Sequence, residues 1–426
     1  MGATLTIILR EARIMILQTR ATDRPSPPIR PEPARRLNPL ERGLVLRLLT
    51  GFGNPPVKLI LWNGEELCAS AEPIAAVVRV PDRPSLLRMF VDPYRFFGDA
   101  YADGHVDLTG DLVQLLERIY RSSGDAAPNP RRWLRRNRNT VSGSRKNIHH
   151  HYDIGTSFYR LWLDSQLTYT CAYFPDESTG LEDAQIAKMD HVCRKLRLRP
   201  GERVVEAGCG WGSLALHMAR RYGVKVQAWN ISTDQVSHAR QRAREEGLED
   251  RVEFIQDDYR NIAGSFDVFV SVGMLEHVGT ENYRSFGGII SRCLTSAGRG
   301  LIHTIGRHRP MDFNKWMDSR VFPGAMIPSL SEMMQVFEPN NLAVLDVENL
   351  RLHYALTLRH WLTRFEAAAD TIAEMFDDRF VRMWRLYLAG SMAAFTTGWT
   401  QLYQVVFNRF TDNQVPLTRA HLYREP

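Results

Sequence analysis

Five cysteines in 426 residues (Cys68, Cys171, Cys193, Cys209 and Cys293) show no Cys-x-x-Cys pair and no metal-ligand spacing. That excludes a disulfide framework and a structural zinc site, and it fits a reducing compartment. Three adjacent histidines, His149 to His151, cannot all face one ion in regular structure, so no metal is expected. No apolar run approaches the roughly eighteen residues of a membrane span, and residues 5–9 are interrupted by Arg10 and Glu11 too soon to form a signal sequence. A cytoplasmic enzyme is the expectation. Two nucleotide signatures are also missing: there is no Gly-Lys-Ser/Thr of a P-loop and no Gly-x-Gly-x-x-Gly of a dinucleotide site.

What is present is Arg203-Val-Val-Glu-Ala-Gly-Cys-Gly-Trp-Gly212. A short apolar run ends in Glu206, and Gly208, Gly210 and Gly212 then let the backbone turn tightly against a ligand before a helix starting near Ser213. Apolar strand candidates recur at 224–228, 252–255, 266–272 and 301–304 with helical stretches between them, the pattern of an α/β, doubly wound Rossmann-like sheet. Ligands of such sheets lie outside the carboxyl ends of the strands, which gathers Glu206, Asn230 with Ile231, Gln256 with Asp257, and 273–276 around one crevice. The second strand ends in Trp-Asn-Ile-Ser and not in the acidic residue that holds the ribose of NAD. S-adenosylmethionine is the better ligand.

The length predicts two folded units and a tail, and a hydrophobic fraction of 44% suffices for their cores. Residues 1–39, rich in Pro and Arg from 22 onward, read as a flexible tail; 40–122 as a small α+β N-terminal domain with strands at 57–62 and 75–80 and helices at 85–91 and 112–120; 123–145 as a basic linker; and 146–426 as the catalytic domain. Within the linker, Arg131, Arg132, Arg135, Arg136 and Arg138 surround Trp133. Such a segment is a solvated linker or a docking site for an acidic surface, lipid or nucleic acid, and the net charge of +6 agrees with either surface. No Asn/Asp-Pro-Pro-Tyr loop of a base or amine methyltransferase follows the fourth strand, which counts against nucleic acid. Glu276 and His277 stand there instead, with His303 at the end of the fifth strand and a long region rich in Phe, Trp, Met and Leu beyond. An apolar substrate under a helical lid is implied. Such a substrate would have to be held in line with the sulfonium and away from water.

The run from Ile148 to Tyr159, Leu167-Thr-Tyr-Thr-Cys-Ala-Tyr-Phe174, Ala184-Gln-Ile-Ala-Lys188, the glycine loop, Met274-Leu-Glu-His-Val-Gly279, His303-Thr-Ile-Gly306, Phe322-Pro-Gly324 and Tyr354-Ala-Leu-Thr-Leu-Arg-His-Trp361 occur in one order over roughly 146–410. In this the chain resembles the cyclopropane-fatty-acyl-phospholipid synthases and their mycolic-acid relatives. The resemblance implies methyl transfer from S-adenosylmethionine to a cis double bond of a phospholipid acyl chain. Proton removal by a bound bicarbonate and closure of a cyclopropane ring would follow. It places the bicarbonate at Cys171, Glu276, His303, the backbone of Ile305, and Tyr354. It places the cofactor at Tyr169, Thr170, Glu206, Ala207, Gly208, Cys209, Gly210, Trp211, Gly212, Asn230, Ile231, Gln235, Gln256 and Asp257. A cysteine assigned to the active site in some members corresponds here to Ser391, ahead of Gln404-Val-Val-Phe407. The enzyme would work at the inner face of the membrane, and a homodimer is compatible with the sequence. The alternatives are a relative that leaves a methyl or methylene branch in place of a ring, and a non-catalytic lipid-binding protein.

Overall fold

The computed structural model describes residues 36–108, 110–122 and 154–423. The basic cluster at 131–138, the three histidines and nearly all of the proposed tail lie outside them. The chain divides into two compact units between Gly110 and Asp111.

In the first unit, Pro39–Gly51 (α1) starts at a capping box, in which Asn38 accepts from the Glu41 amide and Glu41 accepts from the Asn38 amide. Strands Val57–Leu61 (β1), Glu66–Cys68 (β2), Ala76–Val80 (β3) and Val106–Leu108 (β4) form a sheet of order β2-β1-β3-β4, with β1 and β3 parallel. Alternating burial along β1 and β3 shows one face turned to a core. Helices Arg83–Val91 (α2) and Pro93–Ala102 (α3) connect β3 to β4, and each begins at a capping aspartate, Asp82 and Asp92.

Leu112–Ser122 (α4) belongs to the second unit, whereas the sequence places the end of the small domain at 122. Its Tyr120 carbonyl accepts from the Trp399 indole at 2.8 Å, and the two rings lie 5.6 Å apart. Heptad-like spacing marks α4 as amphipathic but does not say which core its apolar face enters.

The second unit is a three-layer sandwich. Arg203–Ala207 (β5), Lys225–Asn230 (β6), Val252–Gln256 (β7), Phe266–Val272 (β8) and Leu294–Gly306 (β9) are parallel, and Leu342–Asn349 (β10) and Gln401–Arg409 (β11) complete the order β10-β11-β9-β8-β5-β6-β7. Helices Leu181–Leu196 (α6), Ser213–Tyr222 (α7) and Thr233–Glu245 (α8) cover one face, and Tyr283–Cys293 (α9) and Leu330–Phe337 (α11) the other. Burial on both faces is why these strands read as unbroken apolar runs. The last strand, β11, runs antiparallel between β9 and β10. Between β10 and β11 the chain forms Arg351–Ala367 (α12), Ala369–Met375 (α13) and Asp378–Thr397 (α14), the aromatic-rich region of the sequence. Short helices Thr156–Arg160 (α5) and Lys315–Arg320 (α10) complete the unit.

Candidate active site

At the carboxyl end of β5 the backbone turns three times through positive φ, at Gly208 (84°), Gly210 (53°) and Gly212 (85°). The three glycines do different things. A Cβ on Gly208 would lie 2.9 Å from the Met274 Cβ, and one on Gly212 would lie 2.6 Å from Phe254 Cζ; both permit close packing. A Cβ on Gly210 would meet no atom of the described residues within 4 Å. The loop therefore offers bare backbone at Gly210, a cradle that a side chain would fill and a nucleotide-like ligand can approach.

Other predicted cofactor residues gather around this loop. Asn230, ending β6, donates to the Gly210 carbonyl at 3.2 Å and to Gln235 Oε1 at 2.8 Å, and its own Oδ1 accepts from the Ser232 amide. Gln256 donates to Thr233 Oγ1 at 2.6 Å, and Asp257 accepts from Asn261. Trp211 donates to Thr156 Oγ1 at 3.0 Å, tying the loop to α5. Glu206 is 2% exposed, and its Oε2 has no partner among the described residues. Burial pushes its carboxyl above the usual carboxylate range, opposed by the charge of Lys188. An acceptor kept dry and unpaired at the mouth of a ligand cradle suits the ammonium of an amino acid.

Segment 167–174 packs against α6 and α12. The Tyr169 hydroxyl lies 2.7 Å from that of Tyr387, and its ring is flanked by Tyr159, Trp162 and Trp361 at 5.3 Å each. Trp384 and Tyr387 of α14 extend this wall. The rings meet tilted or edge to face, and such an aromatic wall offers electron-rich faces that attract a cation and excludes water. The sequence places Trp361, Trp384 and Tyr387 in the apolar covering region beyond the fifth strand, and singles out only Tyr169 among these rings as a cofactor residue.

The second cluster stands at the ends of β8 and β9. Glu276 is buried, its Oε1 accepts from the Ile305 amide at 2.6 Å, and its Oε2 is unpaired among the described residues. Burial raises its carboxyl to about 7, with the Ile305 bond opposing. The amide expected to face an anion is thus engaged by Glu276 itself. His303, two residues before Ile305 on the same face of β9, is 2% exposed. Its Nδ1 lies 3.1 Å from the Gln404 Nε2, and its own Nε2 has no partner among the described residues. With the Gln404 amide in this orientation its nitrogen donates, Nδ1 accepts and the ring proton sits on Nε2. Burial first, then the charges of Lys188 and Lys195, hold this imidazole well below its ordinary pKa and therefore neutral. The neighbouring His277 is likewise pushed down to about 4 by burial.

Tyr354 and Thr357 lie one turn apart on α12. The Tyr354 ring stacks on Phe395 at 4.5 Å, and Thr357 Oγ1 accepts from the Ala172 amide at 3.0 Å and lies 3.9 Å from Cys171 Sγ. The Cys171 thiol is fully buried, donates to the Ala172 carbonyl, and is pushed up by burial. It is a neutral thiol and no nucleophile. Ser391 sits half-buried on α14. Gln404, named in the sequence only as part of a motif, is the functional residue that sequence reasoning missed; the register that sets it opposite His303 is not visible before β11 is placed.

A seven-stranded sheet with its sixth position filled antiparallel, a glycine cradle at the first strand, and ribose-side amides at the second defines an S-adenosylmethionine-dependent methyltransferase. The profile of the mycolic acid cyclopropane synthetase family matches residues 140–405, and the chain belongs to that family. It is 40% identical to the cyclopropane-fatty-acyl-phospholipid synthase of Escherichia coli over 63% of this chain and 69% of that one. It is 35% identical to a probable fatty acid methyltransferase of Pseudomonas putida over 87% of this chain and 96% of that one. Among solved structures, the mycolic acid cyclopropane synthase CmaA1 complexed with SAH and CTAB superposes with a TM-score of 0.59 at 29% identity, covering 62% of this chain and 98% of that one.

Proposed function

We propose that this enzyme methylates a cis double bond in the acyl chain of a phospholipid at the inner membrane surface, and that loss of a proton to a bound bicarbonate closes a cyclopropane ring. The observation that carries the proposal is the burial, at the ends of β8 and β9, of two polar atoms unpaired among the described residues, Nε2 of His303 and Oε2 of Glu276. One donor and one acceptor match the oxyanion and the hydroxyl of bicarbonate. Tyr354 and Cys171 are the remaining residues that would hold it, the Ile305 amide being given to Glu276, and it would supply a base. S-adenosylmethionine, when bound, supplies an electrophilic methyl group.

The chain's own residues do the rest. Gln404 keeps the His303 proton on Nε2, and the Ile305 amide fixes one oxygen of Glu276 so that the other is presented. An ionised Glu276 adds a negative charge where positive charge develops on the substrate. Tyr159, Trp162, Tyr169 and Trp361 keep water from that charge.

Among the described residues no helix is long and apolar enough to cross a membrane. Docking would rest on the arginines at 131, 132, 135, 136 and 138, each contributing about 1 kcal/mol near an anionic surface. Replacing them with glutamine should release the protein from anionic vesicles in cosedimentation, and added salt should do the same to the wild type. An unchanged bound fraction in both experiments would remove the segment from docking.

A second reading is favoured by one comparison: a relative matched over 96% of its length is named a probable fatty acid methyltransferase, and methyl transfer to the same double bond without ring closure would leave a branch. Mass spectrometry of lipids from cells expressing the chain and fed labelled methionine separates the two. Gain of CH2 with loss of the double bond reports a ring. Gain of CH2 with the double bond retained reports a methylene branch, and gain of CH4 a reduced methyl branch.

A further inference from the structure

Helix α6 presents two polar side chains, Gln185 and Lys188, to the underside of segment 168–170, and neither belongs to the site residues named so far. Lys188 is 2% exposed, and its Nζ lies 2.9 Å from Thr170 Oγ1. Gln185, fully buried and one turn earlier, donates to the carbonyls of Thr168 at 3.2 Å and Thr170 at 2.9 Å. Asp164 completes the hold by accepting from the Thr168 amide at 2.8 Å and its hydroxyl at 3.1 Å. Between Asp164 and Thr168 the chain passes through Leu167 at φ 57°, a left-handed conformation that a leucine keeps only when its surroundings enforce it. The segment is thus held in an unfavourable path by buried polar groups, the kind of strain met at functional sites.

The direction of the Lys188 bond matters. An ammonium has donors only, so Thr170 Oγ1 must accept, and its own proton is left to be donated elsewhere. The charge of Lys188 also opposes the rise that burial gives the Glu206 carboxyl, whose Oε2 is unpaired among the described residues. Thr170 also abuts the end of β8, its Cγ2 lying 3.0 Å from where a Cβ would stand on Gly273. A cofactor laid across the strand ends with its adenosyl part on Asn230 and Gln256, and its sulfur toward Glu276 and His303, places its amino-acid end over β5 and β8. There Thr170 offers a donor for a carboxylate and Glu206 an acceptor for an ammonium.

We infer that Lys188 is a positioning residue for the zwitterionic amino-acid end of the cofactor, acting through Thr170 and Glu206. This rests on the placement of the cofactor given above. The test is calorimetric titration of folded Lys188→Met with two ligands, S-adenosylhomocysteine, which carries the amino-acid end, and 5′-methylthioadenosine, which lacks it. Affinity for the first should fall by about tenfold or more, and for the second by less than about twofold. Thr170→Val should weaken S-adenosylhomocysteine in the same direction, and the double variant should lose little beyond Lys188→Met, because both changes break one chain of contacts. If Lys188→Met does not fold, the contrast between the two ligands in Thr170→Val decides alone. Equal weakening of both ligands, or no weakening of S-adenosylhomocysteine, overturns the inference. A wild type that binds neither ligand would overturn the cofactor site itself.

Discussion

The two ends of the crevice are built by opposite means. The cofactor end at β5 is built on backbone, glycines at positive φ with their carbonyls and amides within ten consecutive residues, and side chains such as Asn230 brace it. The chemical end at β8 and β9 is side chain: Glu276, His303 and Gln404 come from three strands or strand ends, and the free atoms of Glu276 and His303 are buried and unpaired among the described residues. A backbone cradle tolerates little change of shape but carries no charge. A buried acid and imidazole keep their shape on substitution but lose their electrostatics. Binding and turnover should therefore be separable by mutation.

The largest separation is expected for Glu276→Gln. Shape is kept, but the negative charge and one acceptor are lost, so turnover should fall by about a hundredfold to a thousandfold, as for an oxyanion-hole donor. Calorimetric affinity for S-adenosylmethionine should stay near that of the wild type. Because burial raises the Glu276 carboxyl to about 7 and only the ionised form supplies the negative charge, wild-type turnover should rise as pH increases through that value. The Glu276→Gln variant should lose this limb; a limb that survives assigns it to another group. Depleting bicarbonate in degassed buffer should slow the wild type strongly and the variant little.

The converse experiment is Gly210→Val, which fills the cradle. Affinity should drop by at least about a hundredfold, roughly 2.7 kcal/mol. Gly210→Asn, whose side chain accepts positive φ, separates filling the cradle from straining the backbone. No atom of the described residues opposes either group, but at φ 53° Val carries backbone strain that Asn tolerates, so the comparison is made on the folded fraction of each. If either binds S-adenosylmethionine normally, the cradle is not the cofactor site.

A smaller effect sharpens the side-chain end. Gln404→Leu removes the donor that fixes the His303 tautomer, and outer-shell partners of this sort are worth about tenfold to a hundredfold. kcat should fall with KM for S-adenosylmethionine unchanged, and a parallel rise in that KM would show that β11 also shapes the cofactor end. Least in activity and clearest in stability is Gly212→Ala. Positive φ and contact with Phe254 should cost about 1 to 3 kcal/mol, read as a lower Tm, with binding intact in the folded fraction.

The same contrast explains what the sequence discloses. The cradle is legible because its residues are neighbours and their spacing is itself the geometry; Gly208, Gly210, Asn230 and Gln256 stand where strand ends predict. Glu276 and His303 are also at strand ends and follow from the same rule. Tyr354 and Cys171 come only from resemblance, since helix α12 and segment 167–174 meet through Thr357, a contact no local pattern encodes. Strands β10 and β11 are hidden within a region that reads as aromatic helix, because antiparallel pairing across three intervening helices leaves no periodicity at the distance where it acts. Helix α4 falls in a different unit from the one its place in the sequence suggests, for the same reason: amphipathicity shows that a face is buried, and says nothing of the partner.

The position of β11 has a consequence for how the enzyme comes into being. Gln404 is made after every other residue of the site, yet it lies within the finished sheet and holds the imidazole of β9. While the ribosome is still short of Gln401, strands β5 to β9 can pair and the cofactor cradle can form. Until then β9 keeps an open edge, β10 has no neighbour, and His303 is free to carry its proton on either nitrogen. The order of synthesis therefore lets the cradle be complete before Gln404 exists to fix the His303 proton.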